Sequence, residues 1–145
     1  MNLERNIEAA LIAQIKLRTY ITTNHIVVRA FDDNSTEDGT GAVALVKSFP
    51  MERIQPNCDY YKVPVAVLCK AYSSADMEGD AIAALYQDMA AYVNNSMTVA
   101  GLNTTITDTH VDINGLFYPP FEFNRDNDGF TIQAAIAWIY AKYTP

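Results

Sequence analysis

From Tyr60 to Tyr72 the chain alternates, with Tyr61, Val63, Val65, Val67, Cys69 and Ala71 pointing one way and Lys62, Pro64, Leu68, Lys70 and Tyr72 the other. Successive side chains of a strand point to opposite faces, so this pattern predicts a half-buried β-strand of a hairpin, and a sheet that is covered on one side. Pro64 lacks an N–H and is expected at a sheet edge or a bulge.

The neighbouring segments supply the rest of that sheet and its cover. Leu3, Ile7, Leu11, Ile15 and Arg18 form one helical stripe in a stretch free of Pro and Gly, which predicts a helix from Asn2 to about Tyr20, ended by Thr22-Thr23-Asn24. His25 to Phe31 is β-branched enough for a short strand. Asp32 to Gly41 carries four acids and two glycines among ten polar residues and reads as a solvated loop. Strands are expected at Ala42 to Phe49, where Pro50 interrupts, and around Met51 to Ile54 before the Gln55-Pro56-Asn57 turn. Ser73 and Ser74 offer N-cap oxygens, Asp76, Glu78 and Asp80 put acids on the first turns, and Ile82, Leu85, Tyr86, Met89, Tyr92 and Val93 repeat at helical spacing up to Asn94-Asn95.

After a loop through Gly101, Thr104 to Ile113 reads as a strand, although Ile106 and Val111 cannot share a face without a slip or a bulge. Leu116 to Asn124 and Phe130 to Tyr143 flank the turn Arg125-Asp126-Asn127-Asp128-Gly129. The last segment fits both periods; its aromatic and β-branched content and the preceding turn favour a strand in a long C-terminal hairpin.

A chain of 145 residues, half of them hydrophobic, is long enough for one domain with its own core. Ten Lys and Arg against 17 Asp and Glu give a net charge of −7, which argues against gripping nucleic acid through its phosphates. No apolar run suits a membrane span, and the opening MNLERNIEAAL gives no expectation of a secretory leader. Cys58 and Cys69 are eleven positions apart in or beside one extended segment and are not expected to pair; they read as a loop thiol and a core thiol.

Several motifs lack the context their chemistry needs. Gly39-Thr40-Gly41-Ala42-Val43-Ala44 spells G-x-G-x-x-A, but an acidic loop precedes it and a strand pattern follows, so no helix N-terminus is expected to hold a pyrophosphate. Asn124, Asp126, Asp128 and Gly129 match the start of a calcium loop, yet Ala135 stands where the bidentate Glu belongs. Asn34-Ser35-Thr36, Asn94-Asn95-Ser96 and Asn103-Thr104-Thr105 are glycosylation sequons by spelling only. His110 between Asp108 and Asp112 is an acid–base pair in search of a nucleophile, with no G-x-S-x-G elbow and no Cys-His signature; a small His/Asp enzyme is the alternative from another class. The nine Tyr and one Trp suggest a base-stacking platform, but the aromatic C-terminal arm contains only Arg125 and Lys142 as cations, so core and subunit interface is the simpler reading.

The order of segments carries more than any motif. An N-terminal helix, an acidic loop, a strand pair ending in Lys62-Val63-Pro64-Val65-Ala66-Val67, a Ser-Asp-initiated helix with the stripe Leu85, Tyr86, Met89, Tyr92, and a hairpin turning at Asp126-Asn127-Asp128-Gly129 into Ala135-Ile136-Ala137-Trp138-Ile139-Tyr140 resembles the tail terminator proteins of long-tailed bacteriophages. Head-closure and tail-completion proteins of the phage neck are the nearest alternatives. The long Asp32–Gly41 loop departs from the family layout. The resemblance implies an α/β (α+β) subunit, one domain over 1–145, with a mixed, mainly antiparallel sheet packed against two α-helices and a long C-terminal β-hairpin. It further implies a homohexameric ring on the head-proximal end of the tail tube, which stops tube polymerisation, meets a neck or head-closure protein and lets DNA pass without specific binding. No catalytic residue, metal or cofactor is expected, and the place of the protein is the virion, assembled in the host cytoplasm. Asp32, Asp33, Glu37 and Asp38 are the candidate partner-binding residues, and Phe117, Tyr118, Phe121, Trp138 and Tyr140 the candidate subunit interface.

Overall fold

The computed structural model describes residues 2–32, 42–71, 79–119, 124–125 and 131–144. Its strands are β1 (Val28–Ala30), β2 (Ala42–Ser48), β3 (Glu52–Arg53), β4 (Tyr60–Ala71), β5 (Val111–Phe117), β6 (Asn124–Arg125) and β7 (Thr131–Tyr143). They form one sheet in the order β1-β2-β4-β7-β5, with β3 beside β4 and β6 beside β7. Only β1 with β2 is parallel among these pairs, so the sheet is mixed and mainly antiparallel, and the fold is α+β. The C-terminal segment is a 13-residue strand that pairs with β4, β5 and β6.

The helices are α1 (Leu3–Lys16), α2 (Thr19–Thr23), α3 (Asp80–Ala91) and α4 (Val99–Thr105), with one π-helical turn at Tyr92–Ser96. None is long and apolar enough to cross a membrane. Their buried residues, among them Leu3, Ile7, Leu11, Leu85, Met89 and Leu102, join one core with Ala44 and Val46 of β2, Val63, Val65, Val67 and Cys69 of β4, and Ala137 and Ile139 of β7. The strand residues of opposite phase, Val43, Leu45, Ala66 and Leu68, form a separate small cluster with Val27 and Phe31 that includes no helical residue. All described helices therefore lie on one face of the sheet.

Four expectations are corrected. The N-terminal helix stops at Lys16, because Arg18 is extended (φ −66°, ψ 137°) and reaches Asp88 of α3, with Nη2 2.8 Å from Oδ1 and the guanidinium 5.2 Å from the Tyr92 ring centre. A second short helix then starts, so the sheet is covered by more than two helices. The strand expected at His25 begins at Val28, and His25 sits in a turn with φ 53°. Thr104 and Thr105 are helical: Thr98 caps α4 by accepting from the Gly101 N–H, and the Thr105 hydroxyl donates to the Ala10 carbonyl of α1 at 2.9 Å. These contacts override the β-branched pattern, and the misfit of Ile106 with Val111 disappears because Ile106 is not in the strand.

Pro64 lies on β4, which is central. The Phe49 N–H donates to the Pro64 carbonyl at 2.9 Å, so the missing N–H of Pro64 faces the interval between β2 and β3, where the chain turns at Pro50. The proline thus occupies a local gap in the pairing of an interior strand. Bulges interrupt β4–β7 pairing at Val67/Leu68 and β5–β7 pairing at Ile113/Gly115.

The β5 edge is closed by a side chain. Asn103 of α4 accepts from the Ile113 N–H at 2.9 Å and donates to the Ile113 carbonyl at 2.8 Å, standing in for a strand. Asn103→Leu leaves both backbone groups without their partner and is expected to cost about 2 kcal/mol of unfolding free energy, measured by denaturant titration. Asn103→Asp, which keeps only the acceptor, is expected to cost less. The two cysteines are free, as expected; burial, helped by Asp88, pushes the Cys69 thiol up to about 12.

Candidate interaction surface

Residues paired across strands share a face, so the register fixes what the face opposite the described helices presents. Lys47 lies opposite Ala66, Lys70 opposite Val43, Lys62 opposite Tyr140, and Lys142 opposite Tyr60. Four of the five lysines therefore lie on this face. Two acids accompany them, Glu52 opposite Lys62 and Asp112 opposite Lys142.

Aromatic rings fill the spaces between the cations. Lys62 Nζ is 4.1 Å from the Trp138 ring centre and 2.8 Å from Glu52 Oε2. Lys47 Nζ lies between Phe31 at 4.5 Å and Phe49 at 5.3 Å, and Lys142 Nζ is 5.8 Å from Tyr60. Phe117 packs on Trp138 with ring centres 5.0 Å apart and an interplanar angle of 37°. Gly115 lies opposite Tyr140 in the β5–β7 ladder. Phe117 is 47% exposed and Tyr60 43%, while Trp138 and Tyr140 are half-buried. A shallow recess of about 270 Å³ lies between Glu52, Ile54, Lys62 and Tyr140. A half-exposed aromatic patch with cations stacked on it suits a protein partner, because the rings offer large rigid contact area and the ammonium groups stay solvated.

Of the candidate interface residues, Phe117, Trp138 and Tyr140 come together on this face. Tyr118 turns to the helical side, where its hydroxyl donates to the Met97 carbonyl at 3.1 Å. Phe121 lies outside the described residues, as do Asp33, Glu37 and Asp38. Asp32 is at the end of β1, exposed, with Oδ2 3.4 Å from Arg5 Nη2 of α1. Sequence reasoning missed Lys47, Lys62 and Tyr60, because the cations that interleave with the aromatics come from other strands; the phase of Lys62 and Lys70 in the alternating segment was the available signal.

The histidine–aspartate pair forms in the turn before β5. His110 Nδ1 is 3.0 Å from Asp108 Oδ1, and the His110 backbone N–H donates to the same oxygen at 2.9 Å. That backbone bond, the His110 ring and the Asn6 amide hold the Asp108 carboxyl below its ordinary value. A depressed folded-state value means that the contribution of Asp108 to stability is present above about pH 4 and is lost as pH falls through the lowered midpoint. A carboxyl-resolved titration is expected to place that midpoint below 3.8, and His110→Gly to raise it. The Asn124–Gly129 turn lies largely outside the described residues, and the glycines of the G-x-G spelling precede strand β2.

No protein-family model matches the chain, and no curated protein matches it.

Proposed function

We propose that this chain is a structural virion protein of the tail terminator kind. It forms a ring on the head-proximal end of a phage tail tube, stops tube polymerisation and offers the surface to which the neck or head-closure protein docks. Its partners are further copies of itself, the tube protein below and the neck protein above; DNA passes through the lumen, and no chemical step is assigned to the chain.

The observation that carries the reading is the division of the sheet. One face is sealed by helices, and the other keeps an aromatic and lysine-bearing patch that extends to the β5 edge. A patch on one side of a subunit suits heterologous contacts, which form rings when the rotation between copies closes, and this division sits in a chain whose order of segments resembles that of the tail terminators. The test is tube growth. Tubes assembled without the chain are expected to run on to variable lengths, and adding it at the start to give tubes of one length with extra density at one end. Unchanged lengths with bare ends contradict the proposal.

A further inference from the structure

The described residues are electrically balanced, with nine cations and nine acids whose side chains are placed, so the net charge of −7 resides in the remaining segments. Within the described part the face opposite the described helices holds four lysines, Lys47, Lys62, Lys70 and Lys142, and two acids, Glu52 and Asp112, a local +2. The densest acidic run of the sequence, Asp32 to Asp38 with four acids in seven residues, starts at the far edge of the same sheet, beyond β1.

We propose that the patch around Lys62, Lys142, Phe117 and Trp138 is the seat for the Asp32–Asp38 segment of a second copy, docked head-to-tail. This rests on the ring reading and names the contact that closes it. Three observations support it. The charges match: Lys142 has no acid in ion-pair range among the described residues, and the segment brings three acids, Asp33, Glu37 and Asp38, beside Asp32, which already pairs with Arg5. A face-to-face, two-fold contact would set lysine against lysine, so the patch favours a different surface of its neighbour.

The third observation is reach. The ten links from Asp32 to Ala42 span at most about 35 Å. Going from the β1 edge to Phe117 on β5 and back to the start of β2 needs about 43 Å at strand spacings of about 4.8 Å and rises of about 3.3 Å per residue. The chain's own segment is therefore too short to lie across Phe117, whereas a neighbour's is free to. Seat and segment at opposite edges of one sheet make each copy both donor and acceptor, the condition for a closed ring.

The experiment is a charge swap read by light scattering and by sedimentation, alone and with tail tubes. Variant one carries Lys62→Glu and Lys142→Glu; variant two carries Asp32→Lys, Asp33→Lys, Glu37→Lys and Asp38→Lys. Each alone is expected to associate more weakly than the natural chain by about ten-fold or more while remaining folded by circular dichroism, with some loss of thermal stability because Lys62→Glu meets Glu52 and Asp32→Lys meets Arg5. An equal mixture is expected to recover the natural assembly, because each acidic segment then meets a basic patch and each basic segment an acidic one. A mixture no better than its components overturns the pairing, and so do reversals that leave assembly unchanged; in both cases a natural chain that still caps tubes leaves the ring reading standing. A natural chain that stays monomeric alone and with tubes overturns both.

Discussion

Glu8→Ala is expected to lower the unfolding free energy by about 3 kcal/mol. Glu8 is 4% exposed on the sheet-facing side of α1. Its Oε2 accepts from the Ser48 backbone N–H at 3.2 Å and bonds the Ser48 hydroxyl, and its Oε1 is 3.3 Å from Arg5 Nη1. One turn earlier, Glu4 accepts from the Met51 N–H at 3.0 Å. Two carboxylates of one helix thus hold the chain where it leaves β2 and turns at Pro50 toward β3. Removing Glu8 takes the acceptor from two half-buried donors at Ser48 and leaves a void where the buried Glu8 side chain stood. The Arg5 contact contributes little, because Arg5 is about half exposed. Glu8→Gln, which keeps an acceptor of the same shape, is expected to lose about 1 kcal/mol, and denaturant titration of the two variants separates shape from charge.

Trp138→Ala is expected to have the largest effect on assembly. Trp138 is the centre of the open face, touched by Lys62 on one side and Phe117 on the other. Central aromatic anchors carry most of the energy of protein interfaces, so truncation is expected to weaken self-association by about 2–4 kcal/mol, roughly 30- to 1,000-fold. The fold is expected to lose about 2 kcal/mol, less than for a fully buried tryptophan, because the ring is only half-buried. Tyr118→Phe is the control: it is expected to cost the fold about 1 kcal/mol through the Met97 hydrogen bond and to leave association unchanged. Sedimentation of the three proteins at equal concentrations distinguishes an interface anchor from a merely structural ring.

The legible parts of the sequence were those where one period dominates. The alternation from Tyr61 to Ala71 and the stripe Ile82, Leu85, Met89 lie where the pattern places them. The ambiguous C-terminal segment is a strand because both of its neighbours are strands, a reason that lies outside the segment. Where local preference and tertiary contact compete, contact wins. Thr104 and Thr105 are helical because Gln14 and Ala10 of α1 engage their hydroxyls, and Arg18 breaks the first helix to meet Asp88. The aromatic half of the open face was legible as Phe117, Trp138 and Tyr140. Lys47 and Lys62 were not, since they reach the rings from β2 and β4, and strand pairing alone brings Lys62 onto Trp138.

Electron microscopy of tail tubes capped by the chain, at a resolution that traces its sheet, tests the central claim most directly. The account predicts a closed ring of copies at one end only, each with Trp138 and Lys62 buried against its neighbour. A ring with that face turned to solvent or to the lumen, or tube ends without the chain, would contradict it.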